Sequence, residues 1–155
     1  MMPTAQDVIF MERAIALARQ GKMNDGGSPF GAVIVQNGKI VAEVSNSVKA
    51  DTDCTQHAEL KAIQVACRTL KTHNLSDCVL YTSCVPCMMC LGACHWANFK
   101  AIFYGASALD AKHHGYVYSE MYYARDAAQR DKEFKMQQFM AKEAVAVWEH
   151  PQDHG

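Results

Sequence analysis

The sequence predicts an α/β fold, a layered domain in which helices pack on a sheet. Three observations carry that prediction. Short apolar, β-branched runs alternate along the chain with segments of helical periodicity. The dipeptide Asn37-Gly38 separates two of those runs, a strong hairpin signal. The 155 residues suffice for one domain with a sizeable core and are too few for two ordinary ones. The chain, 1–155, therefore reads as a single domain.

The elements follow in order. Val8, Met11, Ile15 and Ala18 mark one face of a first helix, which Gly21 is expected to end. "KMNDGGSP" (22–29) is a loop by composition. "FGAVIVQNGKIVAEV" supplies two strands around the Asn37-Gly38 turn. "SNSVKADTDCTQ" reads as a polar loop. A second helix is expected from about His57 to Lys71, with Leu60, Ile63, Cys67 and Leu70 on one stripe and Thr55 as its N-cap. "THNLSD" turns the chain into "CVLYTS", a third strand. A third helix starts near Pro86, and "KAIFYGA" is a fourth strand. Beyond Gly105 the pattern weakens to a loop through "HHG", a helix over Ser119–Arg130 and a last helix ending near Trp148. The sheet is expected to be mostly parallel behind its opening hairpin.

Composition narrows the function. Fifteen basic and sixteen acidic residues leave a net charge of −1. Nothing there offers the clustered basic surface that nucleic acid requires, so nucleic acid is not an expected partner. No continuously apolar run reaches the ~20 residues needed to span a bilayer. Glu12 and Arg13 interrupt the one apolar segment near the N-terminus, which does not read as a signal peptide. The expected location is the cytoplasm, without a membrane partner. An odd count of seven cysteines suits thiols and metal ligands in a reducing compartment better than disulfides.

Four of those cysteines crowd into "SCVPCMMCLGACHW": Cys84, Cys87, Cys90 and Cys94. Their spacing is that of a bacterial ferredoxin run, C-x2-C-x2-C-x3-C. A ferredoxin places a proline after the fourth cysteine and sends that cysteine to a second cluster. Here His95 follows Cys94, and Cys54, Cys67 and Cys78 show no second run. Zinc finds its partner instead. His57-Ala58-Glu59 heads the second helix, and Cys87 and Cys90 fall at i and i+3 in the first turn of the next. A helix N-terminus favours thiolates, the metal-binding form. Two thiolates and one imidazole neutralise zinc and leave the fourth tetrahedral position open to water. Glu59 is placed to move that water's proton. H-x-E alone and C-x-x-C alone are weak signals. Together, each at a predicted helix start, they form H-x-E…P-C-x-x-C, the established signature of zinc nucleobase deaminases. Cys84 then reads as an inert strand-end thiol and Cys94 as a small core residue.

With these motifs in place, the sequence resembles the cytidine-deaminase-like zinc hydrolases, and among them most the guanine deaminases. The resemblance is strongest over Pro29–Gly105: "PFGAVIV", "SN", "HAE", "LYTSC.PC..CLGA", "WA" and "K.IFYGA". It implies a three-layer α/β/α domain with a mixed sheet of about five strands and a zinc ion. It also implies hydrolysis of a ring C–NH2 to C=O with release of ammonia. By the same matching, His57, Cys87 and Cys90 are the ligands and Glu59 the proton shuttle. Asn46 would hydrogen-bond the substrate, Phe30 and Trp96 would line its pocket, and Ala58 would offer a backbone group. A small nucleobase-like molecule is the implied substrate and a homodimer the implied assembly.

The sequence also departs from the family pattern. Asp53 is followed by Cys54 rather than proline, Gln56 replaces an alanine, and Val85 stands where glutamate is usual. Guanine deaminases carry a purine-reading aspartate in a "GFDD"-like segment. Here "GYVYSE" puts Val117 and Tyr118 at those places, with Glu120 the nearest carboxylate. The usual tail with its tyrosine has no counterpart in "HPQDHG". The apolar side chains of "FKMQQFMAKEAVAVW", from Phe134 to Trp148, require cover. Guanine deaminases exchange a C-terminal segment between subunits, so about 131–155 is a candidate for exchange. The competing readings are a tRNA-editing adenosine deaminase, a deaminase of another small aminated ring, and a non-enzymatic zinc protein whose fourth ligand would be Cys84.

Overall fold

A computed structural model describes residues 2–23, 28–46 and 48–149. The first element is helix α1, Ala5–Met23. Thr4 and Asp7 cap it reciprocally, each side chain accepting the other's backbone N–H. Met11, Ile15 and Ala18 are buried as their spacing predicts. Gly21 does not end this helix; it lies inside it, buried. The glycine serves close approach instead, because a Cβ there would stand 2.3 Å from the Ser28 carbonyl oxygen. Residues 24–27 of the predicted loop, and the "HPQDHG" end, lie outside the described residues.

Strands β1 (Ser28–Gln36) and β2 (Lys39–Asn46) form the predicted hairpin. Asn37 (φ 49°) and Gly38 (φ 77°) both take positive φ, the geometry that matches the twist of the flanking strands. The polar loop holds one helical turn, α2 (Val48–Asp51), before α3 (Ala58–Leu70). Thr55 does not cap α3. Its N–H and hydroxyl both bond Asp53, and His57 takes the N-cap position. Strand β3 (Cys78–Cys84), helix α4 (Met88–Ala97) and strand β4 (Ala101–Ala106) then follow as read from sequence.

The region after β4 differs most from expectation. The loop expected through "HHG" starts with helix α5 (Ala108–His113), opened by a Ser107/Asp110 capping box, and continues as a turn at His114 and Gly115. The single helix expected over Ser119–Arg130 is two, α6 (Glu120–Ala124) and α7 (Ala127–Phe134). The break falls where Asp126 bonds the Ala128 N–H and starts a new helix. A three-residue strand, β5 (Met136–Gln138), carries no local signal and completes the five-stranded mixed sheet that the resemblance implies. Helix α8 (Ala141–Glu149) closes the described chain.

The sheet order is β2-β1-β3-β4-β5. β1 runs antiparallel to both β2 and β3, whereas β3-β4 and β4-β5 are parallel. The sheet is therefore mixed, and behind the opening hairpin two of its three pairings are parallel, as expected. Helices α1 and α8 touch each other and pack on the sheet, α1 mainly on β1 and α8 on β4; α3 packs on β1 and β2, and α4 touches α3. Residues Gly31–Val35 of β1 are consequently all buried. The C-terminal apolar residues find cover within their own chain: Val147 is fully buried, and Trp148 donates its indole N–H to Pro29.

Gly31 faces α1 so closely that a Cβ would lie 2.3 Å from the Ala14 oxygen and 2.7 Å from the Ala18 nitrogen. Those atoms belong to a helix backbone and cannot swing aside. Gly31→Ala should lower unfolding free energy by about 1–3 kcal/mol in urea titration. Gly92 in α4 has open space where its Cβ would go. Gly92→Ala should leave stability unchanged or raise it by up to about 1 kcal/mol.

Candidate active site

Two helix starts meet at one point. His57 is the N-cap residue of α3 and Cys87 that of α4, and neither side chain caps its own helix. A capping residue normally spends its side chain on the first free N–H groups. Here the side chains turn toward each other. Cys87 Sγ lies 3.5 Å from His57 Nδ1, and Cys90 Sγ 3.7 Å from the same atom. All three donor atoms fall within 4.8 Å of one another. Zinc bonds of about 2.3 Å to sulfur and about 2.0–2.1 Å to nitrogen, set at the tetrahedral angle, require sulfur–nitrogen separations of roughly 3.6 Å. The donor set and its spacing fit zinc.

The local electrostatics favour negative charge. The Cys90 thiol and the His57 ring hold Cys87 well below the usual thiol range, and Cys87 in turn pushes Cys90 up. Both helix N-termini add positive potential at the cluster. Glu59 is only 6% exposed, and burial pushes its carboxyl up to about 7, with the Cys87 charge adding to the shift. Burial also pushes Cys84 and Cys94 up, so both behave as protonated thiols. Cys84 Sγ contacts the Tyr118 hydroxyl at 3.1 Å, and neither Cys84 nor Cys94 joins the donor cluster.

A cavity of about 480 Å³ opens beside the cluster. Phe30, Asn46, His57, Glu59 and Cys87 line it, and Cys90 lies fully buried next to it. Asn46 ends β2 opposite Ser28, where β1 begins, so the hairpin delivers Phe30 and Asn46 to the same edge of the sheet. The Asn46 Oδ1 accepts the Val48 N–H at 3.0 Å, which leaves the amide NH2 as its freer group. Phe30 meets Tyr116 edge-on at 5.0 Å. Ala58 is fully buried at the first position of α3 and outside the lining.

Two expected pocket residues are not brought in. Trp96 is 79% exposed and borders a separate depression with Ile63, Cys67 and His73. It sits two residues beyond Cys94, which faces the core, so helical rotation of about 100° per residue turns it outward. Glu120 is exposed at the start of α6, one residue past Ser119, where the lining stops. Sequence reasoning missed Met88, Met89 and Tyr116, which do line the cavity. The methionines were signalled by adjacency to Cys87. The Tyr116–Ser119 wall carries no periodicity that would have announced it.

Three protein donors that leave one tetrahedral position open, with a buried carboxylate beside them on a layered α/β sheet, define a zinc-dependent hydrolase. The chain belongs to the cytidine and deoxycytidylate deaminase family, whose zinc-binding region matches residues 4–106. It is 50% identical over 113 residues to guanine deaminase of Bacillus subtilis, covering 73% of this chain and 72% of that one. The X-ray structure of a Bacillus subtilis guanine deaminase superposes with a TM-score of 0.72 at 49% identity, over 75% of this chain and 74% of the other. A tRNA-specific adenosine deaminase of Aquifex aeolicus is 40% identical over 108 residues, 70% of each chain.

The metal prediction follows from the donor geometry. The protein should bind one zinc per chain, counted by elemental analysis. Cys87→Ala and His57→Ala should lose it, while Cys84→Ala and Cys94→Ala should keep it. Zinc lost from Cys84→Ala would place the wrong cysteine in the cluster.

Proposed function

We propose that this chain hydrolyses the exocyclic C–NH2 of a small nucleobase, guanine foremost, to C=O. One water is consumed and one ammonia released, with no change of oxidation state. The observation that carries the reading is the placement of Glu59: a buried carboxylate lining the same cavity as His57 and Cys87. The 50% identity to a guanine deaminase supports guanine as the ring.

His57 through Nδ1, Cys87 and Cys90 would hold the zinc, which supplies activation of a water for attack on the ring carbon. Glu59 accepts a proton from the attacking water and delivers it to the departing amine. Its burial excludes bulk solvent, so the proton has few other destinations. Phe30 and Tyr116 give the flat ring an apolar wall, and the Asn46 NH2 donates to a ring acceptor. The buried backbone of Ala58 could serve a substrate atom at the head of α3.

Glu59→Gln should retain zinc and lose about 10²–10⁴-fold in turnover, because an amide cannot carry the proton. Ammonia release should be measured across guanine, adenine, cytosine, pterins, triazines, nucleosides and a tRNA anticodon stem. Guanine should be the best substrate. Guanine inert beside another active ring would overturn that choice, and salt-sensitive turnover of the RNA would favour tRNA editing. Should Glu120→Gln raise the guanine KM at least tenfold, α6 supplies the acceptor that Val117 and Tyr118 lack.

The assembly we propose is a homodimer. On α4, Met88 and Met89 at the cavity and Trp96 outside it are each more than a third exposed. Exposed apolar side chains of this size favour a protein partner. Exchange of about 131–155 is the weaker part of this reading, since α8 already packs on its own chain. The expected location is the cytoplasm, and no helix among the described residues is long and apolar enough to cross a membrane. Sedimentation at micromolar concentration should give twice the chain mass; a monomer there would remove the dimer and the exchange together.

A further inference from the structure

The segment joining β3 to α4 ends on Cys87 and leads one turn on to Cys90, and its backbone oxygens are all engaged. The Cys84 carbonyl accepts the Thr82 hydroxyl at 2.9 Å, and the Cys87 carbonyl accepts the Leu91 N–H at 2.7 Å inside α4. The two carbonyls between them have no local donor. That of Val85 accepts the Tyr118 hydroxyl at 2.7 Å, and that of Pro86 accepts the Tyr122 hydroxyl, also at 2.7 Å. Val85 and Pro86 are almost completely buried, so water does not readily replace either donor.

The two phenols come from 33 and 36 residues further along the chain and brace one another. Their rings meet edge-on at 5.0 Å. The Arg130 guanidinium stacks over the Tyr122 ring at 4.0 Å and donates to the Tyr122 carbonyl. The Tyr118 N–H is itself held by the Tyr123 hydroxyl at 2.9 Å. The Tyr118 hydroxyl donates to Val85, which leaves its oxygen to accept from the Cys84 thiol 3.1 Å away.

We propose that Tyr118 and Tyr122 are positioning residues for the metal centre: their hydroxyls fix the Val85 and Pro86 carbonyls and thereby aim Cys87 and Cys90 at His57. A loop with two free carbonyls could rotate its peptide planes, and Cys87 follows the second of them directly. The phenols remove that freedom before metal arrives. Partners of this outer kind typically change metal affinity by about 10–100-fold. The inference rests on zinc occupying the His57, Cys87 and Cys90 cluster.

The test is zinc affinity of the full chain, read by competition with a chromophoric chelator at a temperature where metal-free and metal-loaded forms are both folded. Tyr118→Phe and Tyr122→Phe each delete one hydroxyl and keep the ring. Each should weaken zinc binding by about 10–100-fold. Tyr81→Phe is the control. It deletes another partly buried phenol, bonded to Asp7 on the α1 side, and should leave zinc affinity within about twofold. A merely structural role would lower the stability of both forms equally and leave affinity unmoved. Zinc affinity within twofold of wild type in both Tyr118→Phe and Tyr122→Phe would overturn the proposal. Wild-type protein that takes up no zinc would instead overturn the metal reading beneath it. If a variant does not fold, amide exchange on the wild type decides, because coupling between two sites is reciprocal. Removing zinc should speed exchange across 118–124 at least tenfold and leave α1 unchanged. Unchanged exchange across 118–124 refutes the proposal.

Discussion

The convergence of two helix N-termini on one point is the constraint from which the rest follows. α3 and α4 each begin with a residue whose side chain is withheld from capping, His57 in one and Cys87 in the other. Withholding a cap typically costs a helix about 1 kcal/mol. The same free N–H groups supply positive potential where the thiols must ionise. Stability given up locally thus reappears as affinity for a cation held by anionic ligands, provided both helices are anchored elsewhere. The anchoring comes from α3 packing on β1 and β2, from α3 packing against α4, and from Leu91, Cys94 and Ala97 of α4 in the core.

That anchoring depends on how tightly the opposite layer sits. Gly31 lets α1 approach β1, and Gly105 lets α8 approach β4, where a Cβ would come within 2.4 Å of the Ala144 Cβ. Ser83 links the two positions. Its hydroxyl accepts the Gly31 N–H, and its carbonyl lies where a Gly105 Cβ would intrude. The next residues are Cys84, Val85, Pro86 and Cys87. The back layer and the donor cluster therefore share one stretch of backbone, and packing on one face of the sheet bears on ligand geometry at its end.

The third participant is the segment after β4. It forms the cavity wall through Tyr116–Ser119 and reaches back to the metal-binding loop through Tyr118 and Tyr122. At the places where guanine deaminases carry a base-reading acid, this chain has Val117, 64% exposed, and a tyrosine whose hydroxyl is already committed to Val85. Among the described residues that line the cavity, Glu59 is the one carboxylate. In the proposed function, chemistry at the ring carbon belongs to α3 and α4 and recognition of the ring edge to the hairpin and this wall.

By itself the sequence determined whatever depends on short-range order. Asn37-Gly38 dictates the hairpin because its backbone preference is local. The apolar stripe of α1 identifies its buried face, since a helix repeats every 3.6 residues whatever surrounds it. In α3 the expected stripe puts only Ile63 in the core, beside Ala58, Ala62 and Ala66, because small residues there let the helix sit close. H-x-E and P-C-x-x-C announced the metal chemistry because the donor types and their spacing are properties of the chain. The "SALD" cap of α5 was equally local and went unread. What the tertiary structure alone decided are relations between distant segments. Nothing near Gly21 signals that Ser28 will press against it and keep it within the helix. Three residues of β5 have no meaning until β4 lies beside them. Trp96 and Glu120 fall outside the cavity because packing fixes how α4 is rotated and where α6 begins. Tyr118 and Tyr122 look like ordinary aromatics until folding places their hydroxyls against two carbonyls more than 30 residues away, an encounter no local pattern encodes.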